Sequence, residues 1–444
     1  MAHSGEDQGP PRRTPMVALS TAFLVSVLGT SMSAIAVPWL VLTTTGSAGH
    51  TGLVLFFQLA PYVLMLAIGG PWVDRLGPHR VFWIGYSVAG LLMSSVPVLY
   101  AAGGLSLVDL AALTGMAGIA RGLADCSNVV LVPGVARLGH VAVERVSGLN
   151  SAANQTGLLL GAPLGGVLLT FVDPPYVLLI DGLSFLIAAG LVGILVPRSA
   201  QEPSPDGDQS ADGKQSAEAG GYLSRLRTGF TFLRHDRLLL GLGAMIAVTN
   251  FTTSALGDVL VPTWVLDRGH SASALGVVSA CMAGGSLAGN LIGAWLGSRM
   301  RKWAMYSIGF LIGASPLFGT LASSSSVLLA GVVAVIAGLA TGSINPILGG
   351  VWYRRIPHAL LARVIGAVRA SAWIGVPFGP LLGGALADGW GVTATLWSFG
   401  GWPLPPRWHR SSSRPSGRWT SRRRSRRMPD TRCGRPMRVA ANAG

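Results

Sequence analysis

The sequence predicts an all-α polytopic membrane protein of two six-helix halves, with the twelfth helix lost or altered. Three observations carry that reading. Half of the 444 residues are hydrophobic and only 11% are charged, against about 25% charged in ordinary soluble domains. Eleven apolar runs are each long enough to cross ~30 Å of hydrocarbon as a helix. Finally, the two halves of the chain repeat one another.

The runs in order are Met16 to Leu42, Gly52 to Val73, Val81 to Tyr100, Leu105 to Val130, Leu149 to Val172 and Tyr176 to Val196. After a polar gap come Leu238 to Val261, Ala272 to Leu296, Trp303 to Ala322, Val327 to Gly349 and Val364 to Leu386. The first is too long for the apolar core of a signal peptide and is expected to remain as a helix.

Loop charges orient the runs. With Arg12 and Arg13 cytoplasmic, the even-numbered connections carry Arg75, Arg80, Arg137, Arg145, Arg299, Arg301, Lys302, Arg354, Arg355 and Arg363, and the odd-numbered ones only Arg268. This is a positive-inside signature. It implies a multi-pass protein of the inner (plasma) membrane with a cytoplasmic N-terminus.

The expected organisation is a cytoplasmic tail over 1–15, a six-helix half over 16–196 and a linker over 197–237. A second half over 238–398 and an Arg-rich tail over 399–444 follow. Pro197 to Gly221 is rich in Ser, Asp, Gly, Glu and Gln, a composition that buries no core. Leu223 to Leu239 sets four arginines among Leu, Phe and Thr, which suits either an amphipathic helix on the inner leaflet or an extension of the seventh run.

The duplication shows at an offset of 218. Arg145-Val-Ser-Gly148 matches Arg363-Val-Ile-Gly366, and Gly157, Gly161, Gly165 and Gly166 fall on Gly375, Gly379, Gly383 and Gly384. A second pair agrees, Ala117-Gly-Ile-Ala-Arg-Gly122 with Ala337-Gly-Leu-Ala-Thr-Gly342. Duplicated halves of this kind describe a transporter whose substrate sits between rocking bundles.

The connection after the second run reads Gly70-Pro-Trp-Val-Asp74-Arg75-Leu-Gly77-Pro-His-Arg80. It resembles the signature loop of the major facilitator superfamily. A degenerate copy, Gly293-Ala-Trp-Leu-Gly297-Ser-Arg299-Met-Arg301-Lys302, follows the eighth run with Gly297 in place of the acid. The resemblance implies that Gly70, Asp74, Arg75, Gly77 and Arg80 form a conformational latch, in which Asp74 engages positive groups such as a neighbouring helix N-terminus.

The fifth run carries Gly157-Leu-Leu-Leu-Gly161-Ala-Pro163-Leu-Gly165-Gly166, and the eleventh Gly375-Val-Pro377-Phe-Gly379-Pro380-Leu-Leu-Gly383-Gly384. Small residues four apart let backbones approach, and proline frees a carbonyl and bends the helix. In the superfamily this is similar to the antiporter motif of drug-proton exporters, which the eleventh run matches more closely because Pro163 sits one place late. Pro38, Thr45-Gly46-Ser47-Ala48, Pro61 and Asp181-Gly-Leu-Ser184-Phe185 extend the resemblance to the macrolide-efflux-like branch, over about residues 16 to 398.

Charged groups inside spans are costly and mark function by default. Asp181, a turn or two inside the sixth run, is the leading candidate for binding a proton or a cationic substrate. The alternative is a boundary carboxylate capping backbone. Arg121 and Asp125, one turn apart near the cytoplasmic end of the fourth run, read as an intrahelical pair, and the resemblance implies a proton relay at Arg121 as the alternative. Arg369 is the other buried cation. Asn154, Gln155, Asn250, Gln58 and Trp39 are weaker cavity-lining candidates.

Neither Lys214 nor Lys302 is followed by Ser or Thr, so no phosphate-cradling loop of the Walker type exists. No metal spacing, disulfide framework or Gly-x-Ser-x-Gly elbow stands out. The expectation is therefore a monomeric secondary transporter rather than an enzyme, with no cofactor and no nucleic-acid partner. It would act on protons and an amphipathic small molecule within the lipid bilayer, by efflux. The alternatives are uptake, dedicated export of a siderophore-like metabolite, or a membrane sensor.

Thr393 to Phe399 begins like a twelfth helix, but the tail after Gly401 holds twelve arginines against one acid, Asp430. A shifted reading frame is the expectation there, with an anionic-lipid anchor or a nucleic-acid-binding segment as alternatives.

Overall fold

The computed structural model describes residues 13–198, 236–296, 315–355 and 371–401, with 231, 234, 313, 364 and 368 besides. Most of the linker over 197–237, the Arg299, Arg301 and Lys302 loop, Arg363 and Gly366, and the tail after Gly401 lie outside the described residues. Every regular element described is helical.

The first half runs α1 (Thr14–Thr45), α2 (Ala48–Ile68), α3 (Gly70–Leu76), α4 (Pro78–Ala101), α5 (Leu107–Leu138), α6 (Val143–Leu168) and α7 (Pro174–Leu195). The second runs α8 (Arg237–Ser254), a π-helical stretch Ala255–Leu260, α9 (Val261–Asp267), α10 (Ala272–Leu296), α11 (Ser315–Ser323), α12 (Val327–Arg355), α13 (Phe378–Trp390) and α14 (Val392–Phe399). Among the described residues seven helical segments are long and apolar enough to span a membrane: α1, α2, α4, α5, α7, Leu239–Asp267 and Ala272–Trp295. α6 is long enough, at 26 residues, but Glu144, Arg145, Asn150, Asn154 and Gln155 dilute its apolarity. The apolar part of α12, Val327–Ser343, is shorter.

Several boundaries move from their expected places. The second run breaks at Gly69, and α3 forms a separate turn. Gly77 follows it at φ +86°, a backbone that side-chain-bearing residues rarely adopt, so the glycine of the loop signature is demanded by geometry. α5 continues through Pro133 to Leu138, eight residues past its expected end, and this places Arg121 near the middle of the helix rather than near one end. The eleventh run is interrupted by a turn over Gly375-Val-Pro377 before α13. The expected start of a twelfth helix appears as α14, eight residues long.

The bundle is apolar on the outside. Leu91, Val98, Val108, Val129, Ile194 and Leu328 are exposed, as lipid-facing positions require when the solvent is hydrocarbon. Inside, the repeated glycines fall into one scheme. A Cβ on Gly157, Gly161 or Gly165 of α6 would strike Val27, Leu28, Ser31 or Met32 of α1. One on Gly375 or Gly379, or on Gly383 of α13, would meet Ala247, Phe251 or Ala255 of α8 and the π-helical stretch. The fifth span thus packs on the first as the eleventh packs on the seventh.

The fourth glycine of each set turns to the other half: Gly166 lies against Gly276 of α10, and Gly384 against Ala48 and Gly49 of α2. These contacts between halves lie where the odd-numbered connections are, at the end of α6, the start of α10, the start of α2 and the end of α13.

Candidate functional site

The polar interior of the first half is built on α1, α2, α4, α5 and α7. Arg121 and Asp125 are four apart on α5, with Nε 3.4 Å from Oδ2. The pair is more than intrahelical. Tyr62 of α2 donates its hydroxyl to Asp125 Oδ2 at 3.0 Å, and Tyr86 of α4 donates to Oδ1 at 2.5 Å. The Arg121 guanidinium lies 4.8 Å above the Tyr62 ring, a cation–π arrangement. Tyr86 in turn meets Ser26 of α1 at 3.4 Å and stacks on Phe185 of α7 with centroids 5.4 Å apart. One carboxylate therefore ties α2, α4 and α5 together, and Tyr86 extends the tie to α1 and α7.

Asp181 sits at the eighth position of α7 and is 3% exposed. Its Oδ1 has no hydrogen-bond partner among the described residues, and neither do Thr30 Oγ1 and Ser33 Oγ of α1. The site lies beyond the first turn of α7 and caps no backbone group there. Asp181 shares a small cavity, about 30 Å³, with Arg121, Gln58, Tyr62, Thr30 and Met93. The expected proton or substrate candidates Asp181 and Arg121 thus line one site, with Asp125 immediately behind Arg121.

Arg369, the remaining candidate, lies outside the described residues. Asn154 donates to Gln155 at 3.4 Å on α6. Asn250 donates to the carbonyl of Ala372 at 2.9 Å, which ties α8 to the eleventh span. Of the weaker candidates only Gln58 reaches the cavity. Trp39 is partly buried against the hydrophobic core.

In the signature loop Asp74, Arg75 and Arg80 are exposed, and Asp74 has no hydrogen-bond or ion-pair partner among the described residues.

Three features escaped the sequence reading. Tyr62 and Tyr86 looked like ordinary aromatic residues of apolar spans, and nothing local marks them as partners of Asp125. Asp258 in the π-helical stretch accepts from Ser254 Oγ at 2.7 Å. It was legible as an acid inside the seventh run, and π-helical insertions often mark functional sites. The third is a seam in which Gly285, Gly289 and Gly293 of α10 lie on the backbone of Val335, Leu339 and Ser343, while Gly338 and Gly342 of α12 lie on Met282 and Ser286. Its signal, glycine every four residues, was present in the chain.

Known proteins share this sequence and architecture. The multidrug efflux pump Tap of Mycobacterium tuberculosis (strain ATCC 25618 / H37Rv) is 25% identical over 388 residues, 86% of this chain and 90% of that protein. Tap of Mycolicibacterium fortuitum is 26% identical over 389 residues, 87% of this chain and 92% of that protein. A crystal structure of a bacterial homologue of the human lysosomal transporter Spinster, inward-facing and unoccupied, superposes with a TM-score of 0.66. It shares 16% identity, over 86% of this chain and 84% of that one, and so shows the fold. The family model described as Major Facilitator Superfamily matches residues 19–270 and 244–404. With duplicated halves, the glycine scheme repeated between them and a polar cavity inside an apolar bundle, the chain is a multi-pass secondary transporter of small molecules, not an enzyme, and it belongs to the Major Facilitator Superfamily.

Proposed function

We propose that this chain exports amphipathic small molecules in exchange for protons, by alternating access, as a monomer in the plasma membrane with its N-terminus cytoplasmic. The observation that carries the proposal is Asp181: a buried carboxylate with an unpartnered oxygen, on a cavity that also holds Arg121, Tyr62 and Met93. A buried acid with an open oxygen gains from any proton or cationic group that reaches it, which makes it a coupling residue. The Arg121–Asp125 pair is already neutralised and tied by two tyrosines, so it acts as the rigid wall against which the Asp181 side of the cavity changes.

The names of the Tap relatives support the export direction. The Asp74 loop is the cytoplasmic latch of this scheme, without a hydrogen-bond or ion-pair partner for Asp74 among the described residues and engaged when the halves close at that end. The deciding experiment is accumulation of lipophilic cationic dyes in cells expressing the chain, with and without a protonophore. Lowered accumulation that the protonophore abolishes, and that Asp181→Asn abolishes in correctly inserted protein, is the expected result. Export that persists unchanged in Asp181→Asn removes the coupling role.

A further inference from the structure

Pseudo-symmetry gives the two halves two matched glycine contacts, α6 on α10 and α13 on α2, yet among the described residues a polar clasp is seen at only one of these seams. Asp388, two residues from the end of α13, reaches across to the start of α2. Its Oδ2 accepts from Ser47 Oγ at 2.5 Å, and its Oδ1 accepts from the backbone N–H of Ala48 at 2.8 Å. Ser47 is the N-cap of α2, its Oγ accepting from the N–H of His50 at 3.0 Å, so the same hydroxyl serves the helix start and the clasp. A negative group at a helix N-terminus is favoured by the unpaired N–H groups there. Just inside, Gly384 lies on Ala48 and Gly49, and Gly52 lies on the carbonyl of Pro380. One turn further, Phe56 packs edge-on against Phe378 at 5.3 Å.

We infer that Asp388 is a positioning residue of the transport cycle, a reversible clasp that holds the α2/α13 seam shut in this conformation and must release before the halves part at that end. The inference rests on the alternating-access reading above. Its physical basis is the mismatch between the two seams. The glycine contacts resist separation only through packing, at both seams alike, whereas the carboxylate bonds are directional and occur at one. The α2/α13 seam is therefore the one whose closure can be weakened by removing a side-chain bond without touching the packing.

Asp388 is itself exposed, so water can replace its partners as it leaves, which keeps the clasp weak enough to break in each cycle. At the far end of the same span, beyond α2 and the break at Gly69, stands Asp74, exposed and without a partner among the described residues. The second span thus has an acid near each end: Asp388 of α13 is bonded to its start, and Asp74 stands beyond its far end without a hydrogen-bond or ion-pair partner among the described residues.

The test is a distance measurement in the full chain. With Cys126, Cys281 and Cys433 replaced by serine, spin labels at Gly104 and Ser323 report the separation of the halves at the end where the seam lies. Asp388→Ala is expected to reduce the ratio of short-distance to long-distance populations by roughly three- to tenfold, the effect of losing one or two ordinary hydrogen bonds. Asp388→Glu is expected to recover part of it.

Ser47→Gly deletes the hydroxyl while keeping a residue tolerated at an N-cap. It should shift the populations in the same direction, and combining it with Asp388→Ala should add little. The Ser47→Gly variant stands in if Asp388→Ala fails to insert. Unchanged populations in Ser47→Gly and in any inserted Asp388→Ala overturn the inference. So does a shift that Asp388→Glu cannot reverse, since that marks lost packing rather than a lost clasp. A shift as expected in a protein that moves no dye supports the clasp while removing the export reading, so the two failures are distinct.

Discussion

The two halves share a fold but not an interior. In the first half the core is held by polar groups: Asp125 receives Tyr62, Tyr86 and Arg121, and across the cavity Asp181 keeps one oxygen, Oδ1, without a hydrogen-bond partner among the described residues. In the described part of the second half, α10 and α12 are held by glycine against backbone, with Gly285, Gly289, Gly293, Gly338 and Gly342 in one seam. Duplication supplied two equal frames, and among the described residues the larger polar network lies in the first and the longest glycine seam in the second, although Asp258 also places an acid in the second. In hydrocarbon both devices work, because helices gain nothing from burying apolar surface there and must associate through close contact or polar bonds.

This contrast can be broken from the packing side first. Gly342→Val would drive a branched side chain into the backbone of Ser286, and overpacking costs about 1–3 kcal/mol or more. The expected outcome is a large fall in folded, monodisperse protein in detergent, with no selective effect on coupling in whatever folds. Normal yield and melting temperature would show that the seam is loose.

Removing one member of the polar core comes next. Arg121→Ala leaves Asp125 without its cation; breaking a fully buried pair costs about 3–5 kcal/mol, and the cost is smaller here because the pair is partly exposed and two tyrosines still donate to the carboxylate. A drop in melting temperature accompanied by loss of transport is expected, and Arg121→Lys should recover stability better than transport. If Arg121→Ala melts like the unaltered protein, the four-residue network is not a structural brace.

Asp181→Asn sharpens the comparison because it should separate function from folding. The amide is nearly isosteric and spares the site an unpaired charge, so stability should stay within about 1 kcal/mol. Protonophore-sensitive efflux should fall at least about tenfold, the scale of losing a group that binds in only one state. Equal losses in both halves of the measurement would make Asp181 structural.

The smallest effect is expected at the exposed loop. Asp74→Asn should insert normally and lower transport severalfold, in proportion to the modest worth of an exposed charge at a helix end. A correctly inserted mutant with normal transport removes the cytoplasmic latch.

Much of the architecture could be read from the residues alone. The positions of most spans, the offset that relates Gly157 to Gly375 and the loop built on Gly70, Asp74 and Gly77 are local patterns, and each rests on a property that neighbouring residues carry together. Apolarity over some twenty positions makes a span, and small residues four apart make a face that another backbone can approach. The same logic singles out Asp181 and Arg121 as candidates, since an ion within an apolar run stands out without any knowledge of its neighbours.

What no run of residues states is which partner each face meets. Asp125 depends on hydroxyls 63 and 39 positions away in the chain, and Asp388 reaches Ser47 across 341. Those pairings follow from how the helices are ordered around the bundle and how far each is shifted along its axis. These quantities are set by the sum of all packing contacts at once, so only the tertiary structure decided that Arg121 and Asp181 share a cavity and that the seam between the halves is clasped on one side.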